Sequence, residues 1–178
     1  MQKEPYEKRC EMAVMHDEFK RRLENAYEKG EYVEASWLCY AIFEQRIQRL
    51  IEKHIRKCPR PKRNNKDPVS ISTKIKCIRK LSKVNYGGYE NFDIELLDAI
   101  SKWCNKRNSL VHSLLDISTY RQYDKDFRAL AESGIPLVER LYSEATKVRN
   151  WYYEKNFGEF PIIKCKCKTR CIIEGCNK

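Results

Sequence analysis

Arg107, Asn108 and His112 stand in one short run, Arg107-Asn108-Ser109-Leu110-Val111-His112, inside a segment of strong helical period. On a helix that run covers about one and a half turns. A guanidinium, an amide and an imidazole are the groups that metal-free cleavage of an RNA phosphodiester requires. The chain has three histidines, and His112 is the one with such neighbours. His16 lies in a charged helical stretch and His54 stands between Lys53 and Ile55 near a helix end, so neither is expected to act in catalysis. The competing reading of Arg107 and His112 is a helix-packing pair without chemistry.

The elements that must hold this run are helical. Gly and Pro are scarce, six of each, and β-hairpin turn signals are nearly absent, Tyr86-Gly87-Gly88-Tyr89 being the best. Apolar spacing predicts helices over about Met12–Glu28, stopped at Lys29-Gly30, and Tyr32–Arg56, broken by Pro59 and Pro61. Further helices are expected over Ser72–Lys83, capped by Ser70 or Ser72, over Asn91–Leu115, with Asp93 at its start, and over Tyr120–Glu154, with a bend near Gly134–Pro136. The expected fold is all-α, a bundle of about five helices. The expected domain boundary lies after residue 156, with an irregular Cys-rich tail over 157–178.

On the Asn91–Leu115 helix, an advance of roughly 100° per residue puts Leu96, Ile100, Trp103, Cys104, Leu110, Val111 and Leu114 on one face, with Arg107 near its middle. Arginine there is expensive unless something pairs with it. Asn105, Asn108 and His112, joined by Ser101, form a separate stripe that is polar but uncharged. The second helix carries a matching anomaly. Glu44 sits within a stripe of Val33, Trp37, Tyr40, Ile47, Ile51 and Ile55. Packing the two stripes together predicts a Glu44–Arg107 pair that aims the guanidinium. Arg107 and His112 point roughly 140° apart by helical geometry. A second copy of the helix across a two-fold axis would close that gap, so a composite site in a homodimer is expected.

The formal charge is +11, from 36 Lys and Arg against 25 Asp and Glu. Such a balance favours a polyanionic partner, nucleic acid or an acidic protein. Lys57, Arg60, Lys62, Arg63 and Lys66 crowd a Pro-broken loop suited to phosphate contact, or to solvation alone. Arg149-Asn150-Trp151-Tyr152-Tyr153 sets aromatics beside a base, for stacking on nucleobases or for packing a helix end. No run approaches the roughly 20 apolar residues of a membrane span. Met1–Arg22 has no apolar core, so no secretory signal is expected. With nine cysteines, an odd count, the expected compartment is reducing and cytoplasmic. Cys39 and Cys104 read as packed core thiols. Cys165, Cys167, Cys171 and Cys176 could wrap one structural zinc, the basic residues between them favouring thiolate, or form a basic tail of free thiols.

The arginine–polar–spacer–histidine run resembles the signature of the HEPN superfamily of small helical proteins. Leu96 to Trp103 fits the same helix. Gly30 to Leu50, with Tyr32, Ala35, Trp37, Glu44 and Arg46, looks like that family's long upstream helix with its embedded acid. The likeness spans roughly Met12 to Asn150. It implies a metal-independent endoribonuclease that works as a dimer, of the kind found in toxin–antitoxin pairs and phage defence, with no cofactor for catalysis. It also implies that Arg107 stabilises charge on the phosphorane, His112 transfers protons or holds the phosphate, and Asn108 orients either one. The RNA's own 2′-hydroxyl would attack, leaving a 2′,3′-cyclic phosphate and a 5′-hydroxyl. In toxins neutralised by a nucleotidyltransferase antitoxin, a tyrosine two residues after the histidine accepts AMP. Ser113 and Leu114 follow His112 here, so that acceptor is missing, although an antitoxin or other regulatory protein remains an expected partner. The competing functional class is a non-catalytic RNA-binding or adaptor module, and a third is a purely structural dimerisation domain.

Overall fold

The computed structural model describes residues 6–55, 70–85, 87–113 and 120–156. They form five α-helices: α1 (Tyr6–Glu28), α2 (Tyr32–Ile55), α3 (Ile71–Lys83), α4 (Ile94–His112) and α5 (Tyr120–Asn156). Among the described residues there is no strand, and they are all-α as expected. No helix among them is long and apolar enough to cross a membrane. The basic loop with Lys57, Arg60, Lys62, Arg63 and Lys66 lies outside the described residues. So does the tail with Cys165, Cys167, Cys171 and Cys176.

Local chemistry explains most boundaries. α1 ends where Gly30 takes a φ of +77°, and the Gly30 and Glu31 N–H groups donate back to the Tyr27 and Ala26 carbonyls. That is the paired closure a C-terminal glycine permits. The Ser70 hydroxyl accepts the Thr73 N–H and caps α3. α4 starts at Ile94, later than the expected Asn91, because Asp93 caps it by accepting the Leu96 N–H at 2.9 Å. α1 begins at Tyr6 rather than Met12. Its first turns are rich in charged helix formers with no apolar period to mark them. Of the Tyr86–Tyr89 hairpin candidate, the described part makes no hairpin. Gly87–Tyr89 is a 3-10 turn.

The helices fall into two compact units that share α2, α4 and α5. One comprises residues up to Ile42 with Lys102–Val138, and the other comprises Phe43–Ser101 with residues from Glu139 on. In the first, Leu23, Ala35, Cys39, Trp103, Phe127 and Leu130 are buried. The Trp103 indole N–H donates to the Leu130 carbonyl at 2.8 Å. A Cβ on Gly134 would stand 3.0 Å from both the Cys39 sulfur and the Trp103 ring, so a side chain is excluded where α5 crosses them. α5 nevertheless continues unbroken through Pro136.

In the second unit Phe43, Ile47, Ile78, Leu81, Leu96 and Ile100 fill the core. Each such side chain contributes about 2 kcal/mol on leaving water. Tyr89 is fully buried, and its hydroxyl donates to the Leu50 carbonyl at 2.9 Å. Gly88 fits against α5, where a Cβ would meet Trp151 at 3.1 Å and the Val148 backbone at 3.2 Å. Trp151 is half-buried at this helix end, which favours packing over base stacking for it.

Candidate functional site

Arg107, Asn108 and His112 all lie on the last turns of α4, within the first unit. The apolar face of α4 turns inward and takes Arg107 with it, leaving that residue 7% exposed. Aromatic rings meet the guanidinium there. Its Cζ lies 3.9 Å from the centre of the Trp37 ring and 4.9 Å from that of Tyr40. Trp37 and Tyr40 are three apart on α2, so both reach the same patch of α4. A desolvated cation over such rings gains on the order of 2 kcal/mol, which offsets part of its burial cost.

One guanidinium nitrogen, Nη1, donates to the Asn108 side-chain oxygen at 3.1 Å. The Nε and Nη2 groups are buried and have no acceptor. Arg46 and Arg79 each have a single buried group without a partner, Nε, whereas Arg107 has two. Nε and Nη2 form one edge of the guanidinium, the edge that takes a carboxylate or phosphate by two parallel hydrogen bonds.

The polar stripe behaves as its composition predicts. Asn105, Asn108 and His112 are exposed. With Ser109 and Ser113 they line a shallow open depression of about 600 Å³. His112 has no hydrogen-bonding partner among the described residues, so its ring is available to a ligand from solvent. Arg107 points inward and His112 outward, the divergence expected from their spacing.

Glu44 plays a different part from the one expected. Its carboxylate accepts from Lys74 of α3 at 3.0 Å, so Lys74 takes the acid that helix periodicity assigned to Arg107. The Lys74 side chain is 8% exposed and that of Glu44 38%. A buried ammonium requires an anion, and Glu44 of α2 supplies it to Lys74 of α3. Trp37 departs too. It was expected in the buried stripe of α2 but is 51% exposed. The aromatic shelf under Arg107 was therefore the feature that periodicity missed. Its signal was the Trp37–Tyr40 spacing on the helix expected to face Arg107.

Cys39, Cys77 and Cys104 are buried thiols. Burial pushes the Cys39 thiol up to about 12, which keeps it protonated and unreactive at neutral pH. Among the described residues no group of His, Cys, Asp and Glu is placed to hold a metal ion. No family model, curated protein or solved structure matches the chain.

Proposed function

We propose that this chain is a metal-independent endoribonuclease of the HEPN type, acting as a homodimer in a toxin–antitoxin or phage-defence setting. The observation that carries the proposal is the buried Arg107 guanidinium with its Nε–Nη2 edge unpartnered. A cation desolvated without a counter-anion is costly in a structure that has no use for it. It is expected where an anionic substrate is to supply the missing acceptors. In the proposed reaction that edge binds the non-bridging oxygens of the scissile phosphate and stabilises the extra charge of the phosphorane. Asn108 holds the guanidinium in place through Nη1. A histidine in the cleft takes the proton from the attacking 2′-hydroxyl or returns one to the leaving 5′-oxygen. Because Arg107 and His112 of one chain diverge, the cleft is proposed to form between two copies, each contributing both residues. The divergence within one chain equally suits the second reading, an RNA-binding module that holds phosphate and does not cut.

Incubation with total RNA and tRNA in EDTA separates the two. Cutting by the wild type with 2′,3′-cyclic phosphate ends is expected, and Arg107→Ala and His112→Ala should each abolish it. Arg107→Lys keeps the charge but not the planar edge, and should lose roughly a hundredfold in kcat. Equal, intact RNA with all folded variants would instead support the binding module.

A further inference from the structure

Beside the candidate site, Trp37 presents an unusual surface. It is the largest side chain among the exposed apolar residues described, with half of its area open. The Arg107 guanidinium lies over its indole. Trp37 also lines a depression of about 550 Å³ together with Tyr32, Tyr123, Glu31, Glu34 and Asp124. The Glu31, Glu34 and Asp124 side chains have no hydrogen-bonding or ion-pair partner among the described residues. In a chain of net charge +11, three unpaired carboxylates around aromatic rings define a ligand chemistry. They repel phosphate and accept hydrogen bonds.

We infer that Trp37 is a stacking platform for one unpaired nucleobase next to the phosphate held by Arg107, and that the carboxylates around it favour guanine. The inference rests on the ribonucleic-acid reading of the Arg107 site. The Arg107 guanidinium lies over the indole, and its unpartnered Nε–Nη2 edge takes the backbone phosphate. The exposed part of the indole takes the adjoining base, and the acids keep the backbone from lying there. Stacking on an aromatic ring suits any base, so selection falls to the edge groups. Guanine alone among the four bases carries two adjacent donors, N1–H and N2–H, which one carboxylate can accept together. Adenine, cytosine and uracil each set an acceptor beside their donor on that edge, and a carboxylate repels it. A paired base cannot stack this way, so the substrate is single-stranded at this position.

The test uses 5′-fluorescein uridine heptamers with a central guanosine, inosine, adenosine or uridine, bound to the full chain and followed by anisotropy. Guanosine should bind tightest. Inosine, which lacks the 2-amino group, should bind roughly tenfold more weakly, the worth of one hydrogen bond to a charged group. Trp37→Ala should weaken guanosine binding roughly tenfold, and Trp37→Phe should recover part of it. Glu34→Gln combined with Glu31→Gln and Asp124→Asn should level the four heptamers. Circular dichroism checks that the variants fold, which the exposure of these side chains favours. Equal binding of the four heptamers, unchanged by Trp37→Ala, overturns the platform, and RNA cutting in EDTA then still supports the ribonuclease. Guanosine preference without any cutting supports the platform and removes the ribonuclease. Competition by an arginine hexapeptide that displaces no heptamer but protects Trp37 from quenching overturns the inference in favour of a cationic protein partner.

Discussion

Arg107 is distinguished by the groups that do not bond to it. Ring faces and one amide hold the guanidinium, and its remaining edge has no partner. Lys74 is the contrast, a buried cation whose need is met by Glu44. The two partners are unequally placed, and this predicts unequal mutational costs. Glu44→Gln strands a buried ammonium and should cost about 2 kcal/mol, below the full penalty for breaking a buried pair because water reaches the carboxylate side. Lys74→Met leaves a half-exposed carboxylate in water and a similar apolar volume in the core, so it should cost well under half as much. Urea midpoints of the two variants make the comparison. A larger loss in Lys74→Met would mean that the pair matters through Lys74's own packing.

At the scale of elements, the start of α4 is the most heavily tied helix end described. Asp93 caps the helix and binds Arg140 of α5 at 2.6 Å. Its own N–H donates to Glu144, also on α5, at 3.1 Å. Partial burial alone would raise the Asp93 pKa, but the Leu96 N–H and the Arg140 guanidinium outweigh it, so the carboxyl sits below its usual range. A depressed folded pKa means that Asp93 stabilises the fold above its unfolded pKa of about 3.9. That contribution fades as pH falls through the lower folded value. Asn caps a helix about as well as Asp but neither titrates nor pairs with Arg140. Asp93→Asn should therefore be less stable at pH 7 by about 1 kcal/mol, and it should lose less stability between pH 4 and pH 2. Guanidinium midpoints against pH measure this. Parallel curves for the two proteins would show that the cap does not carry the acid dependence.

For the whole molecule, net charge decides how RNA is met before any single residue acts. At +11, association with single-stranded RNA should weaken steeply with salt, log K falling with log salt by about 0.7 for each phosphate contacted. Removing one phosphate contact in Arg107→Ala should reduce that slope by about 0.7, whereas Trp37→Ala should lower affinity and leave the slope unchanged. Fluorescence titrations between low and physiological salt provide both slopes. An unchanged slope in Arg107→Ala would mean that the guanidinium does not meet phosphate, whatever the rest of the surface does.

Legible in the amino-acid sequence were the helices, the Gly30 stop, a serine cap at Ser70 or Ser72, an acid at the start of α4 and the polar Asn105–Asn108–His112 stripe. These depend on neighbours within a few positions and on a fixed angular advance, which a linear pattern carries. It likewise placed Arg107 among buried residues, because azimuth on a helix tells inside from outside. Tertiary structure alone decided what lies opposite. Helical period assigns Glu44 and Arg107 to inward faces but says nothing of the axial offset and rotation with which helices meet. Those gave Lys74 to Glu44, put Trp37 and Tyr40 under Arg107, and left half of the Trp37 ring exposed. The unpartnered arginine edge and the aromatic platform beside it are products of packing between helices, which no single helix encodes.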